Sequence, residues 1–149
     1  MSARKILIVL AIALTSCSHP TRDSRLDGTW LSDVETTVSY NRSLRPQLDW
    51  DKYSKLFGRM KHIYDKTTCT MEFDGARESE PLRIARVDAS TVTLITHDPI
   101  AKKDRQLTIH FVGSDSYWIQ IRDTDQREYF RRVRSPDGNS MGNDNSPKN

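Results

Sequence analysis

Apolar positions recur along this 149-residue chain in three different patterns. The first is a continuous run, "ILIVLAIAL", from Ile6 to Leu14. The second lies in "PQLDWDKYSKLFG" (46–58), where Trp50, Tyr53 and Phe57 stand at i, i+3 and i+7 with Leu56 adjoining. That spacing predicts one amphipathic helical face. Pro46 suits its first turn, Gly58 its stop, and Asp51 and Lys55 form an i, i+4 pair in the favourable order. The third pattern alternates with period two. It covers "TTCTMEF" (67–73), "PLRIARV" (81–87), "TVTLIT" (91–96), "QLTIHFV" (106–112), "SYWIQI" (116–121) and "REYFRRV" (127–133). These runs are rich in β-branched and aromatic residues, and turn formers bound them. Breaks this short connect antiparallel neighbours. "TWLSD" and "ETTVSY", near residues 29–40, add one or two strands. The expectation is a mainly β, antiparallel up-and-down sheet of about seven to eight strands, with one short helix between the early strands.

The apolar run is shorter than the roughly 20 residues a spanning helix needs. Arg4 and Lys5 precede it, and the small residues Thr15 and Ser16 follow, directly before Cys17. A basic head, a short apolar stretch and small residues form the secretory pattern. "LTSC" (14–17) resembles the lipobox of bacterial lipoproteins. The resemblance implies a signal peptide over 1–16, cleavage before Cys17, and acylation of that cysteine, palmitate included. The plainer alternative is an ordinary cleaved signal with an incidental cysteine. Several acyl chains at Cys17 would anchor the protein stably, whereas one chain binds a membrane only marginally. Ser18 is not aspartate, which by analogy with enteric-type lipoproteins implies the outer membrane, with periplasmic and surface faces both open.

Loss of 1–16 leaves 21 Lys and Arg against 20 Asp and Glu. A near-neutral chain lacks the field that phosphate backbones demand, so nucleic acid is not an expected partner. Residues 17–26 read as a lipidated tether, 27–134 as one domain, and 135–149, almost free of apolar residues, as a disordered tail. With Cys17 lipidated, Cys69 has no intramolecular partner. It shares a strand face with Met71 and Phe73, which favours a buried small hydrophobe over a nucleophile or redox thiol.

"DGTW" (27–30) opens the first strand, and an arginine closes the last in "EYFRRV". This resembles the lipocalin or broader calycin pattern. In that family Gly-x-Trp opens strand one, and a late-strand arginine packs on the indole at the closed barrel end, a favourable cation–π contact. The matching residues are Gly28 and Trp30, with Arg131 preferred as partner because it alternates with Tyr129 and Val133. Arg132 is the other choice. The resemblance implies a small lipocalin-like barrel. A generic antiparallel sandwich or half-barrel is the alternative.

Histidines 19, 62, 97 and 110 share no ligand spacing, no Cys-x-x-Cys occurs, and no G-x-S-x-G marks a nucleophile, so neither metal, cofactor nor enzyme is expected. "ESE" (78–80) beside Pro81 reads as a solvated loop. "KKDR" (102–105) and "RRVR" (131–134) read as solvated strand ends, or else as contacts for phosphate or an acidic partner. Two functions remain open. A hollow barrel lined by Met71, Phe73, Leu94, Ile109, Phe111, Tyr117 and Ile119 would bind a small apolar or amphiphilic ligand. A solid barrel would serve as a structural or interaction lipoprotein of the envelope, meeting a protein partner through loops or through Trp50, Tyr53 and Phe57.

Overall fold

The computed structural model describes residues 22–98 and 101–134. Cys17, the expected signal peptide over 1–16 and the expected tail 135–149 lie outside the described residues. The described chain runs β1 (Gly28–Ser32), α1 (Val34–Leu44), α2 (Trp50–Tyr53), a 3-10 turn (Ser54–Leu56), β2 (Met60–Tyr64), β3 (Thr68–Phe73), β4 (Ala76–Pro81), β5 (Ile84–Val87), β6 (Thr91–Asp98), β7 (Lys103–Phe111), β8 (Ser116–Gln120) and β9 (Arg127–Arg132). All nine strands form one antiparallel sheet ordered β4-β3-β2-β1-β9-β8-β7-β6-β5. The first strand pairs with the last, Trp30 opposite Arg132, and the sheet curls into a half-barrel. Its two ends are the consecutive strands β4 and β5. Between them the chain turns a corner: Leu82 N–H donates to Thr67 O at 2.8 Å on one side, and Ile95 N–H to Arg83 O at 2.9 Å on the other. No helix of the described residues is long and apolar enough to cross a membrane.

Six strands stand where the alternation predicts them. Three differences have physical causes. β2 carries its inward positions as His62 and Tyr64, so the polar atoms on them disguise a buried face. β4 is a strand rather than a loop. Asp74 and Gly75, with φ of 50° and 82°, make the two-residue turn that closes a β3–β4 hairpin, and "ESE" is carried into the sheet by Phe73, opposite Ala76.

The third difference is α1. "ETTVSY" is helical, not a strand, despite its β-branched residues. Asp33 caps the helix, its side chain accepting from Thr36 N–H at 3.1 Å, and such a cap contributes about 1 kcal/mol. Tertiary pairing supplies the rest. β1 leaves β9 after Ser32, and α1 takes over the vacated ladder. Asp33 N–H donates to Tyr129 O at 2.7 Å, Tyr129 N–H to Thr37 Oγ1 at 2.9 Å, and Arg127 N–H to Asn41 Oδ1 at 2.9 Å. Asn41 Nδ2 donates back to Arg127 O at 2.7 Å. Thr37 and Asn41, four apart on one helical face, are fully buried and do the work of a tenth strand.

The expected helix over 46–58 shortens to Trp50–Tyr53 plus the 3-10 turn Ser54–Leu56. Asp49, capping Lys52 N–H, starts it later than Pro46 would.

The core comprises Leu26, Trp30, Tyr64, Cys69, Ile84, Val92, Leu94, Ile109, Tyr117 and Phe130. Leu26 is fully buried, and Trp30 Nε1–H donates to its carbonyl at 2.8 Å. Residues 22–26 therefore belong to the folded body and not to a tether, as Arg25 also shows by donating to Asp88 O and Ala89 O.

Candidate functional site at the seam of the half-barrel

At the floor of the half-barrel the expected Gly–Trp–Arg grouping is present, with one correction. The guanidinium over Trp30 is that of Arg132, 4.2 Å from the ring centroid, and not that of Arg131. In β9 the buried residue is Phe130, so Arg132 shares its inward face. Tyr129 faces outward against Tyr40 at 5.7 Å, and Arg131 goes with it. Arg132 also donates to Asp27 O and, at 2.8 Å, to Arg25 O. Gly28 has φ +116°, and a Cβ there would sit 3.2 Å from Arg132 Nη1, so glycine both adopts the backbone and admits the arginine.

Above the floor the interior is filled. Trp30, Tyr117, Phe130, Leu94, Ile109 and Val92 are essentially without solvent contact. His62 stacks on Phe130 at 4.5 Å between centroids, and its Nδ1 is hydrogen-bonded to the Tyr117 hydroxyl at 2.6 Å. Burial lowers His62 to about 4, so the imidazole is neutral near pH 7. Burial also pushes the Cys69 thiol up to about 12. At neutral pH it is protonated and unreactive, a small buried side chain as expected.

Of the expected pocket residues, Leu94, Ile109 and Tyr117 meet inside this core, and Met71, Phe111 and Ile119 pack against it half-buried. These six are brought together as packing rather than as the lining of a hollow. Phe73 is apart from them, 42% exposed beneath the Arg59 guanidinium. Of the expected interaction face, Trp50 is buried, its Nε1–H donating to Arg45 O at 2.8 Å. Tyr53 is exposed and Phe57 half-buried.

The least satisfied part of the interior is the seam where β4 approaches β6. Register places Met71 opposite Glu78 and Cys69 opposite Glu80, and directly opposed residues share a face. Both glutamates therefore lie on the concave side with the buried Cys69. His97 N–H on β6 donates to Glu80 Oε2 at 3.1 Å, while the His97 ring lies 3.5 Å from Asp104. Two buried oxygens here have no hydrogen-bond partner, Glu80 Oε1 and the hydroxyl of Thr96. Thr96 is only 4% exposed and directly precedes His97. Beside them is a cleft of about 400 Å³ lined by Met71, Glu78, Ser79, Glu80 and His97. A buried polar atom left unpaired costs about 1–3 kcal/mol. The seam thus offers unmet acceptor capacity next to one methionine side chain.

The sequence points to Met71 alone of these residues. The signal for the remainder is "ESEP" read as a strand, which aligns Glu78 and Glu80 on one face. Among the described residues no three His, Cys, Asp or Glu side chains form a group that could hold a metal. In comparisons with known proteins, the chain matches no family model, no curated protein and no solved structure.

Proposed function

We propose that this is a lipid-anchored protein of the bacterial cell envelope, tethered through Cys17 and non-enzymatic, whose lipocalin-like half-barrel binds a small amphiphile at the β4–β6 seam. The observation that carries the reading is the unpartnered buried oxygen Glu80 Oε1, with Thr96 Oγ1 a second one nearby, on a glutamate that lines a cleft together with Met71. A carboxylate oxygen only accepts, and Glu78 adds a second negative charge. The fitting head group is therefore a donor, an ammonium or an alcohol, with its apolar part against Met71. The filled core argues against a long chain buried above Trp30.

The test is a titration of the mature protein with a fluorescent fatty amine and, separately, a fluorescent fatty acid. Saturable binding of the amine, weakened at least tenfold by Glu80→Gln, is expected, with the acid binding less. No saturable binding of either probe removes the reading. The anchor is tested separately, by palmitate labelling that Cys17→Ser abolishes.

A second reading, an interaction lipoprotein meeting an envelope partner through 46–58, draws on the exposure of Tyr53 and Leu56, 39% and 58%. The burial of Trp50 removes the largest anchor from that face.

A further inference from the structure

The β7–β8 ladder stops early. Its paired residues are Ile109 with Ile119, His110 with Trp118 and Phe111 with Tyr117, whereas β7 pairs with β6 along eight positions, from Thr91 opposite His110 to Asp98 opposite Lys103. The upper half of β7 therefore has β6 on one side and, on the other, a split in the sheet.

The direction of its backbone groups follows from the bonds at the lower end. Phe111 N–H donates to Ser90 O, on the β6 side, and Val112 N–H to Ser116 O, on the β8 side. Backbone groups alternate between the two sides of an antiparallel strand. With the β6 register unbroken, Gln106 turns its N–H and C=O into the split and Thr108 its N–H, while the Thr108 C=O serves the Ile109–Ile119 pair that ends the β8 ladder.

The split is a cleft of about 520 Å³ that Gln106, Thr108 and Gln120 line, together with the cations Lys103, Arg105 and Arg122 and the acids Asp98 and Asp123. Lys103, Arg105 and Arg122 take part in none of the ion pairs among the described residues.

We propose that this edge is a strand-addition site: an extended, acidic segment of a partner protein pairs with Gln106 and Thr108 and places its carboxylates among Lys103, Arg105 and Arg122. Two independent features select that occupant. An unpaired strand edge in a cleft is bound by backbone hydrogen bonds from an extended chain. Three uncommitted cations at that edge favour negative side chains. Edge cations also serve to repel other strands. That role and this one diverge for an acidic strand, which the cations attract. The site is separate from the β4–β6 seam and does not depend on it.

The probe is an acetylated eight-residue peptide of alternating valine and glutamate, titrated into the full mature chain. Expected are at least tenfold slower hydrogen exchange at the Gln106 and Thr108 amides and at least tenfold weaker binding to Lys103→Glu/Arg105→Glu. The same peptide N-methylated at alternate residues should bind at least tenfold more weakly. Gln106→Pro removes only a cleft-facing N–H and should do the same to the unmodified peptide. Unchanged exchange at both amides overturns the proposal, and so does equal binding of the N-methylated peptide. Complete competition by inorganic phosphate would mark an ionic site without strand pairing and overturn it as well. Because the amide measurement uses the unmutated protein, misfolding of a variant does not blunt the test.

Discussion

The floor of the half-barrel and its seam are built from similar residue types and end in opposite states. At the floor, Trp30, Arg132, Gly28 and Leu26 satisfy one another. The indole N–H has the Leu26 carbonyl, the guanidinium has the Asp27 and Arg25 carbonyls and the ring face, and the one polar atom left over beside them is Asp27 Oδ1. At the seam, Glu80 and Thr96 each leave an oxygen buried and unpartnered. Polar groups at the floor hold the fold together, whereas those at the seam cost it stability. A sheet closed by β1–β9 pairing at one place and left open between β4 and β5 concentrates its order at the closure. Among the described residues two of the three buried side-chain oxygens without a partner, Glu80 Oε1 and Thr96 Oγ1, then fall at the opening, and the third, Asp27 Oδ1, beside the floor.

The largest break of this comparison is Trp30→Ala. Truncating a fully buried aromatic costs about 3–5 kcal/mol, here with loss of the surface on which Arg132 rests. The expected result is a urea midpoint lowered by most of the protein's stability, or no folded protein at all. Destabilisation by less than about 1 kcal/mol would show that the floor is not the closure.

Second in size is the pH response of His62. Its ordinary value is 6.5 and its folded value about 4, because burial disfavours the charged ring. Between those values the unfolded chain binds more protons than the folded one. Stability is therefore full above about 6.5 and falls as pH drops toward 4, by roughly 3 kcal/mol. Glu128, raised by burial, acts in the opposite sense. The measurement is thus the difference in slope between wild type and His62→Leu, from urea melts at pH 7 and pH 4. Equal slopes would place the titration elsewhere.

How much of this was legible in sequence follows from what each residue does. Period-two alternation found six strands because their inward residues are apolar. It missed β2, where His62 and Tyr64 are buried through ring stacking and hydrogen bonds. It missed α1 because Thr37 and Asn41 look like surface residues until β9 supplies the backbone groups they bond. Asp33, three before Thr36, was the available local sign. Gly28 and Trp30 were legible as a pair. The choice of Arg131 over Arg132 failed because Tyr129 and Phe130 are both aromatic, so composition cannot say which faces inward. The expected pocket residues proved to be mostly core, since apolar alternation marks burial and is blind to whether a cavity remains. The seam was invisible because β4, with Glu78 and Glu80 and no large apolar side chain, has no hydrophobic signature.

The α1 substitution for a strand gives an effect of intermediate size. Asn41→Ala leaves the Arg127 N–H and C=O unpaired beneath the helix, at a cost of about 1–3 kcal/mol. Hydrogen exchange at the Arg127 amide should accelerate at least tenfold, while amides of β2 and β3 change little. Uniform acceleration across the sheet would mean that α1 is integral to the whole fold and not a local replacement for β1.

The smallest effect is the sharpest, because its sign is unusual. Thr96→Val replaces a buried hydroxyl that has no partner with a methyl group of similar shape. At a satisfied site that exchange destabilises. Here the hydroxyl is already costing the fold its lost hydration, so the variant should be as stable as wild type or more so, by up to about 1 kcal/mol. The same variant should weaken the fatty amine, since one of the two oxygens offered to its head group is gone. Stability up and affinity down together separate a binding seam from a packing defect. A destabilised Thr96→Val would show that the hydroxyl has a partner, such as an ordered water, in the folded protein, and the contrast between seam and floor would then rest on Glu80 alone.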